Sequence, residues 1–257
     1  MTAFFSLENL TMQFGGLTAV NDFAITLEQG ELVGLIGPNG AGKTTVFNMI
    51  TGILTPTSGR VIWREKDTTR LTPQKIASMG IARTFQNIRL FTDMTVLENV
   101  LVSYHYDIRA HFWEAMLGLP KYRREEARIR EESLGCLQDL SLSHLVSEKA
   151  GSLPYGQQRR LEIARALATR PSLLLLDEPA AGMNPQETMD LAQLIQELRR
   201  KYSLTIFLIE HDMRFVMSVC ERIKVLDYGI TIAEGTPGEI QTNRDVIKAY
   251  LGEKENA

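Results

Sequence analysis

Positive charge is absent from the first 42 residues; the earliest lysine or arginine is Lys43. A secretory leader needs a basic segment ahead of an apolar one, so none is expected and the chain is expected to start in the cytoplasm. Long apolar runs are missing too. Residues 44–59 carry no charged side chain, but Asn48, Gly52, Pro56 and Ser58 interrupt them, whereas a membrane span wants about 20 mostly apolar residues. Nor is there a basic excess: 28 Lys and Arg stand against 31 Asp and Glu, a formal charge of -3. Binding to a phosphate backbone draws on surplus positive charge, so nucleic acid is not expected as a partner. Cysteine is scarce. Cys136 and Cys220 are far apart in helix-like text, which suits a reducing compartment and free, buried thiols. What is present is 257 residues, 44% hydrophobic and 23% charged, enough to bury a sizeable core and unlike a disordered chain.

Residues 5–14, 23–27 and 31–36 alternate apolar and polar side chains between glycine-containing turns, which predicts a small antiparallel sheet. The run at 32–36 also leads through a glycine-rich turn into a helix beginning near Lys43. Short, nearly all-apolar runs at 173–176 and 205–209 flank helical text at 186–201, predicting right-handed βαβ crossovers in a parallel sheet. Between about 87 and 168 the text turns helical. There Ile129, Ser133, Cys136, Leu137 and Leu140 share one face, with Arg124, Glu125, Arg128 and Glu132 largely on another. Asp227-Tyr228-Gly229 between 223–226 and 230–233 predicts a hairpin. No internal repeat and no linker is evident.

Gly37-Pro38-Asn39-Gly40-Ala41-Gly42-Lys43-Thr44 fits G-x-x-x-x-G-K-[ST] and lies between a strand and a helix, where a phosphate loop must lie. Glycines let successive N–H groups of Asn39, Gly40, Ala41 and Gly42 turn towards an anion, and the helix aims its positive end at the same place. Lys43 is expected on the β- and γ-phosphates, the Thr44 hydroxyl on Mg²⁺, and Thr45 beside them. Leu173 to Leu176 followed by Asp177-Glu178 supplies the acids such a loop needs. Strand alternation would send the two carboxylates in different directions, Asp177 to Mg²⁺ and Glu178 to the attacking water.

With these motifs in place the chain resembles the nucleotide-binding subunits of ABC transporters over nearly its whole length. Thr84-Phe85-Gln86-Asn87 resembles the Q-loop and Leu153-Pro154-Tyr155-Gly156-Gln157-Gln158 the signature motif. Ala180-Ala181-Gly182-Met183-Asn184 stands at the D-loop, His211 at the switch histidine, and Phe14 at the aromatic adenine-stacking position. The resemblance implies an α/β P-loop NTPase with a RecA-like core, an N-terminal antiparallel β subdomain and an inserted α-helical subdomain. It implies one cassette domain, with about 1–86 and 169–257 in the core and about 87–168 in the helical part. The implied ligands are ATP and Mg²⁺, the metal held by Thr44, Gln86 and Asp177. Catalysis is implied for Glu178 and His211, and Phe14, with Val20 as padding, is implied for adenine. Gln86, at the start of the helical part, is also implied to pass nucleotide state to it. Ser152 is expected to cap the signature helix, whose tip (Pro154, Tyr155, Gly156, Gln157) would meet ATP held by an opposing subunit. Pro154-Tyr155 replaces the usual Ser-Gly, and Asn184 stands where Asp is common.

Three segments narrow the resemblance: residues 15–22, residues 81–91 and residues 159–167 are similar to the larger ATPase of bacterial branched-chain amino acid importers. So is extra length at 103–124, with Phe112, Trp113, Met116 and Leu117 as an apolar stripe. That branch implies a second ATPase chain, two membrane permeases, an external solute-binding protein, and a place on the cytoplasmic face of the inner membrane. Urea uptake and lipopolysaccharide export use similar ATPases and stay open. A P-loop kinase would share the sheet but not the signature helix, and the Asn-Lys-x-Asp segment of a switch GTPase does not occur. His105, His111 and His144 fit no motif and are expected to be structural.

Overall fold

Fully buried runs of five residues form the centre of one sheet, and longer, partly exposed runs contribute to a second. The computed structural model describes residues 4–104 and 120–251; His105, His111 and the stripe from Phe112 to Leu117 lie outside them. In chain order the elements are β1 Phe5–Phe14, β2 Leu17–Leu27, β3 Leu32–Ile36, α1 Lys43–Ile50, β4 Ser58–Trp63, β5 Lys66–Asp67, α2 Pro73–Ser78, β6 Ile81–Arg83, α3 Val96–Ser103, α4 Pro120–Asp139, α5 Tyr155–Ala168, β7 Leu173–Asp177, α6 Pro185–Tyr202, β8 Thr205–Ile209, α7 Met213–Val219, β9 Arg222–Asp227, β10 Ile230–Gly235, α8 Pro237–Thr242 and α9 Arg244–Leu251. They fall into two units, Met1–Gln86 with Ser172–Ala257, and Asn87–Pro171.

The first unit holds both sheets. One is antiparallel in the order β2-β1-β4-β5; the other runs β10-β9-β3-β8-β7-β6. In the latter β9, β3, β8, β7 and β6 are parallel neighbours and β10 closes the edge antiparallel to β9. The expectation that residues 31–36 belong to the antiparallel sheet is therefore corrected. All five residues of β3 are buried, so the strand needs cover on both faces, which a central parallel position provides. The third antiparallel strand is β4, pairing Phe5 with Trp63. β2 also begins earlier than residue 23, at Leu17. Asn9 and Asp22 both take positive φ, at 51° and 52°. Joined by a 2.6 Å hydrogen bond, they sit among register shifts that break the alternation and hide the strand's first half.

Packing fixes where the strand ends point. Phe47 of α1 meets Phe207 of β8 at 5.3 Å between ring centroids, seating the helix on the central sheet. Register sets Leu35 and Asp177 both opposite Ile209, so β3, β8 and β7 end at one level. Their carboxyl ends carry Gly37, Glu210 and Glu178, the edge of an open α/β sheet where ligands bind. On the far side of β3, Gly34 leaves room for Cys220, whose Sγ lies 2.9 Å from where a Cβ would stand. Both cysteines are free and buried, and burial pushes the Cys220 thiol well above its ordinary value, which makes it unreactive.

In the second unit α3 opens with a capping box: Thr95 accepts from the Glu98 N–H while Glu98 accepts from the Thr95 N–H. Asn99 is fully buried and ties the preceding loop through the N–H and carbonyl of Phe91. Ile129, Ser133, Cys136 and Leu137 are the buried face of α4, which continues through Leu140 just beyond its end, and Cys136 Sγ donates to the Ala164 carbonyl of α5. Leu161, Ala164, Leu167 and Ala168 bury the inner side of α5. Its start differs from expectation. Pro154 is the N-cap, while Ser152 sits in a short 3₁₀ turn with its hydroxyl donating to the Lys149 carbonyl. Proline carries no side-chain acceptor, so the helix begins there without a side-chain cap and the first turn rests on the Pro154 carbonyl. His144 is exposed in another 3₁₀ turn. Among the described residues no helix is long and apolar enough to cross a membrane.

Candidate functional site

The loop after β3 is built around backbone that only glycine supplies cheaply. Gly37 and Gly42 take φ of 151° and 103°. A Cβ on Gly37 would lie 1.9 Å from the Leu226 carbonyl oxygen, and one on Gly42 2.5 Å from that of Ala19. Ala41 is buried, and its carbonyl accepts from the Gly229 N–H at 3.0 Å. Gly229 in turn accepts from the Asn21 N–H at 2.8 Å. The hairpin turn Asp227-Tyr228-Gly229 thus braces the loop from one side, a role its sequence did not reveal. Asn39, Gly40 and Thr44 are exposed and Thr45 is half-buried. Lys43 is buried, its Nζ donating to the carbonyls of Gly37 at 2.7 Å and Pro38 at 2.8 Å. The ammonium is thereby held at the mouth of the loop at the positive end of α1.

Phe14 ends β1 opposite Leu17 and is 46% exposed, so its ring is open to a ligand. Val20 is not. It is fully buried, and its Cγ2 lies 3.1 Å from where a Cβ on Gly42 would stand. The expectation that Val20 pads an adenine is corrected: it supports the loop from beneath.

The acids after β7 are placed by a kink. Asp177 is the last strand residue, and Glu178 takes a left-handed φ of 46°, a conformation that carries strain for a side chain with a Cβ. Its N–H is secured by the Ile209 carbonyl at 2.9 Å. That turn, not strand alternation as expected, separates the two carboxylates. Asp177 Oδ2 accepts from Arg83 Nη2 at 2.7 Å with both side chains 5% exposed. Glu178 Oε2 accepts from Gln86 Nε2 at 2.9 Å and lies 3.5 Å from His211 Nδ1. Gln86, Glu178 and His211, about 90 and 30 residues apart in the chain, so form one cluster.

Glu210 is a buried member of this cluster that the sequence did not disclose. Oε1 accepts from the Ala180 N–H at 2.8 Å and Oε2 from the N–H groups of His211 at 2.9 Å and Asp212 at 3.3 Å. One carboxylate joins the loop after β7 to the loop after β8. Burial pushes its pKa up against the opposing pull of those three N–H groups. At the end of the first of these loops Asn184 caps α6, accepting from the Glu187 N–H at 3.0 Å within a capping box. Asn and Asp cap equally well, so the departure from Asp is neutral for the fold.

Pro154, Tyr155, Gly156 and Gln157 lie in the second unit. The Pro154 carbonyl accepts from the N–H groups of Gln157 and Gln158, both at 3.0 Å, and Tyr155 is 44% exposed. Serine in place of Pro154 would supply the missing cap, worth about 0.5–2 kcal/mol. We expect Pro154→Ser to keep or raise the thermal stability of the chain in a melt, and a lowered midpoint would show that serine does not cap this helix.

The oxygen donors assigned to a metal are a hydroxyl (Thr44), an amide (Gln86) and a carboxylate (Asp177). Among the described residues no group of three or more His, Cys, Asp or Glu side chains is arranged to hold an ion. Few, hard, all-oxygen protein donors suit Mg²⁺, which keeps waters and takes phosphate oxygens for the remainder of its shell.

The model of the family described as ABC transporter matches residues 20–181. The chain belongs to the ABC transporter family. A second model, described as branched-chain amino acid ATP-binding cassette transporter, matches residues 231–256 of this cassette. The high-affinity branched-chain amino acid transport ATP-binding protein LivG of Salmonella typhimurium is 49% identical, over 96% of this chain and 97% of its own. BraF of Pseudomonas aeruginosa, with the same description, is 49% identical over 96% and 97%. Among solved structures, the ADP conformation of MJ1267, an ATP-binding cassette of an ABC transporter, superposes with a TM-score of 0.85 at 34% identity, covering 98% of this chain and 100% of its own. The fold is accordingly that of an α/β P-loop ATPase cassette, and the chain is an ATP-binding subunit.

Proposed function

We propose that the chain binds and hydrolyses ATP to drive an importer of branched-chain amino acids, working at the cytoplasmic face of the membrane through two permease subunits and an external solute-binding protein. The observation that carries this reading is the meeting of Gln86, Glu178 and His211 at the end of the sheet that also launches the glycine loop. The similarity to LivG and BraF supports the cargo class.

In this reading the exposed face of Phe14 receives adenine, and the N–H groups of Asn39 to Thr45 receive the phosphates. Lys43 leaves the carbonyls of Gly37 and Pro38 for the β- and γ-phosphates, exchanging two hydrogen bonds for charge-assisted ones. Thr44, Gln86 and Asp177 hold Mg²⁺, which neutralises charge on the phosphate oxygens when bound. Glu178 accepts a proton from the attacking water, and His211 donates to the γ-phosphate. Pro154, Tyr155, Gly156 and Gln157 close over the ATP of a second ATPase subunit. ATP favours the closed pair, hydrolysis reopens it, and Gln86 carries that change towards the helical unit.

The direct test is reconstitution with the permeases, the binding protein and the second ATPase, followed by ATP hydrolysis against a panel of solutes. Stimulation by leucine, isoleucine and valine is expected. Stimulation by urea instead, or by none of the amino acids, would overturn the cargo reading and leave the ATPase reading to stand on the loop variants below.

A further inference from the structure

Arg83 is charged, nearly inaccessible and hydrogen-bonded to both β7 and the end of α1. It closes β6, three residues before Gln86. Nη2 donates to Asp177 Oδ2 at 2.7 Å, and Nη1 donates to Asn48 Oδ1 at 2.8 Å and to Thr51 Oγ1 at 3.4 Å. Asn48 and Thr51 belong to the last turn and C-cap of α1, where a cation also meets the negative end of the helix dipole. Its guanidinium stands over two rings, 5.5 Å from the centre of Phe47 and 5.1 Å from that of Phe85. Asp177 is 3% exposed as a residue. A carboxylate buried so deeply needs a partner, and breaking such a pair from one side is strongly destabilising.

We propose that Arg83 is a positioning residue that serves Asp177 as an internal counter-cation: it neutralises and orients the carboxylate, and by sharing it weakens the hold of the site on Mg²⁺. This rests on the reading of Asp177 as a metal-holding group. Two effects of the guanidinium oppose each other. Fixing the carboxylate in one rotamer favours metal binding slightly. A unit positive charge one carboxylate away from a divalent ion disfavours it more, by about tenfold in affinity even with the screening of bulk water. Repulsion therefore wins. The fork geometry matters for orientation, since arginine meets Asp177 with one nitrogen and Asn48 with the other in a fixed plane, whereas lysine offers a single nitrogen on a rotatable stem. For the cassette the consequence is a carboxylate that stays paired between nucleotides and does not retain the metal with product.

The test uses the full chain with a fluorescent ADP analogue, titrated with Mg²⁺ from a chelated start, alongside thermal melts with and without Mg²⁺ and nucleotide. Arg83→Gln should bring the half-saturating Mg²⁺ concentration down about tenfold. It should also depress the metal-free midpoint by about 5–10 °C and show a larger rise on adding Mg²⁺ and ADP than the parent chain. Arg83→Lys keeps the charge, so its Mg²⁺ titration should stay within about twofold of the parent while its melting midpoint falls. Unchanged or weaker Mg²⁺ binding in Arg83→Gln overturns the proposal and leaves the ATPase reading intact. If Arg83→Gln does not fold, a tenfold change in Arg83→Lys overturns it instead, and an unchanged titration supports it. Nucleotide binding indifferent to Mg²⁺ in the parent chain overturns the metal role of Asp177 and this proposal together.

Discussion

Lys43→Ala is expected to lower ATP turnover at least 10²-fold, the usual consequence of deleting one charged donor aimed at a developing phosphoryl charge. The reason is geometric. The ammonium is already at the mouth of the glycine loop, buried and held by the carbonyls of Gly37 and Pro38, so it meets the phosphates without having to be brought in. Two hydrogen bonds are lost in the variant, each worth about 1.5–3 kcal/mol when the donor is charged, but the cost of burying the ammonium disappears with them. The fold should survive. Circular dichroism and a thermal melt separate the two effects. A folded Lys43→Ala chain with near-normal turnover would refute the phosphate-loop assignment, whereas loss of rate with the fold retained supports it.

Glu178→Gln should behave differently. The amide is nearly the same size and can still accept the Gln86 Nε2 hydrogen bond now made to Oε2 at 2.9 Å, so ATP binding should persist. What disappears is the base, and with it about 10²–10⁴-fold in rate. Because the closed pair of subunits is reopened by hydrolysis in this account, ATP should accumulate the closed form, visible by size-exclusion chromatography as a larger species. With the cognate partner subunits present, an ATP-dependent shift no greater than that of the parent chain would sink the clamp model.

The phosphate loop was legible in the sequence because its requirements are local: glycine where a Cβ would strike the Leu226 and Ala19 carbonyls, and a strand and helix on either side. The buried strands β7 and β8 were legible from composition for the same reason. Assigning residues 31–36 to both a strand-loop-helix unit and the antiparallel sheet shows where local reading stops, since a five-residue strand does not reveal which neighbours will cover its two faces. Val20 and Ser152 failed similarly. Each has a side chain suited to the expected job, but one is buried under Gly42 and the other turned into a 3₁₀ segment. The pairing roles of Arg83 and Glu210 carried no signal. A charged residue next to an apolar run reads as solvated surface, and only tertiary contact shows that one pairs with Asp177 and the other collects three N–H groups from two loops. The strained φ of Glu178 is of the same kind.

The central claim is that Lys43, Glu178 and His211 serve one triphosphate. Determining the structure of Glu178→Gln with ATP and Mg²⁺ tests it most directly. The account predicts a γ-phosphate within about 3 Å of both Lys43 Nζ and a His211 ring nitrogen, with the Lys43 bonds to Gly37 and Pro38 given up. A γ-phosphate bound elsewhere, or Lys43 still held by those two carbonyls beneath a bound nucleotide, would contradict it.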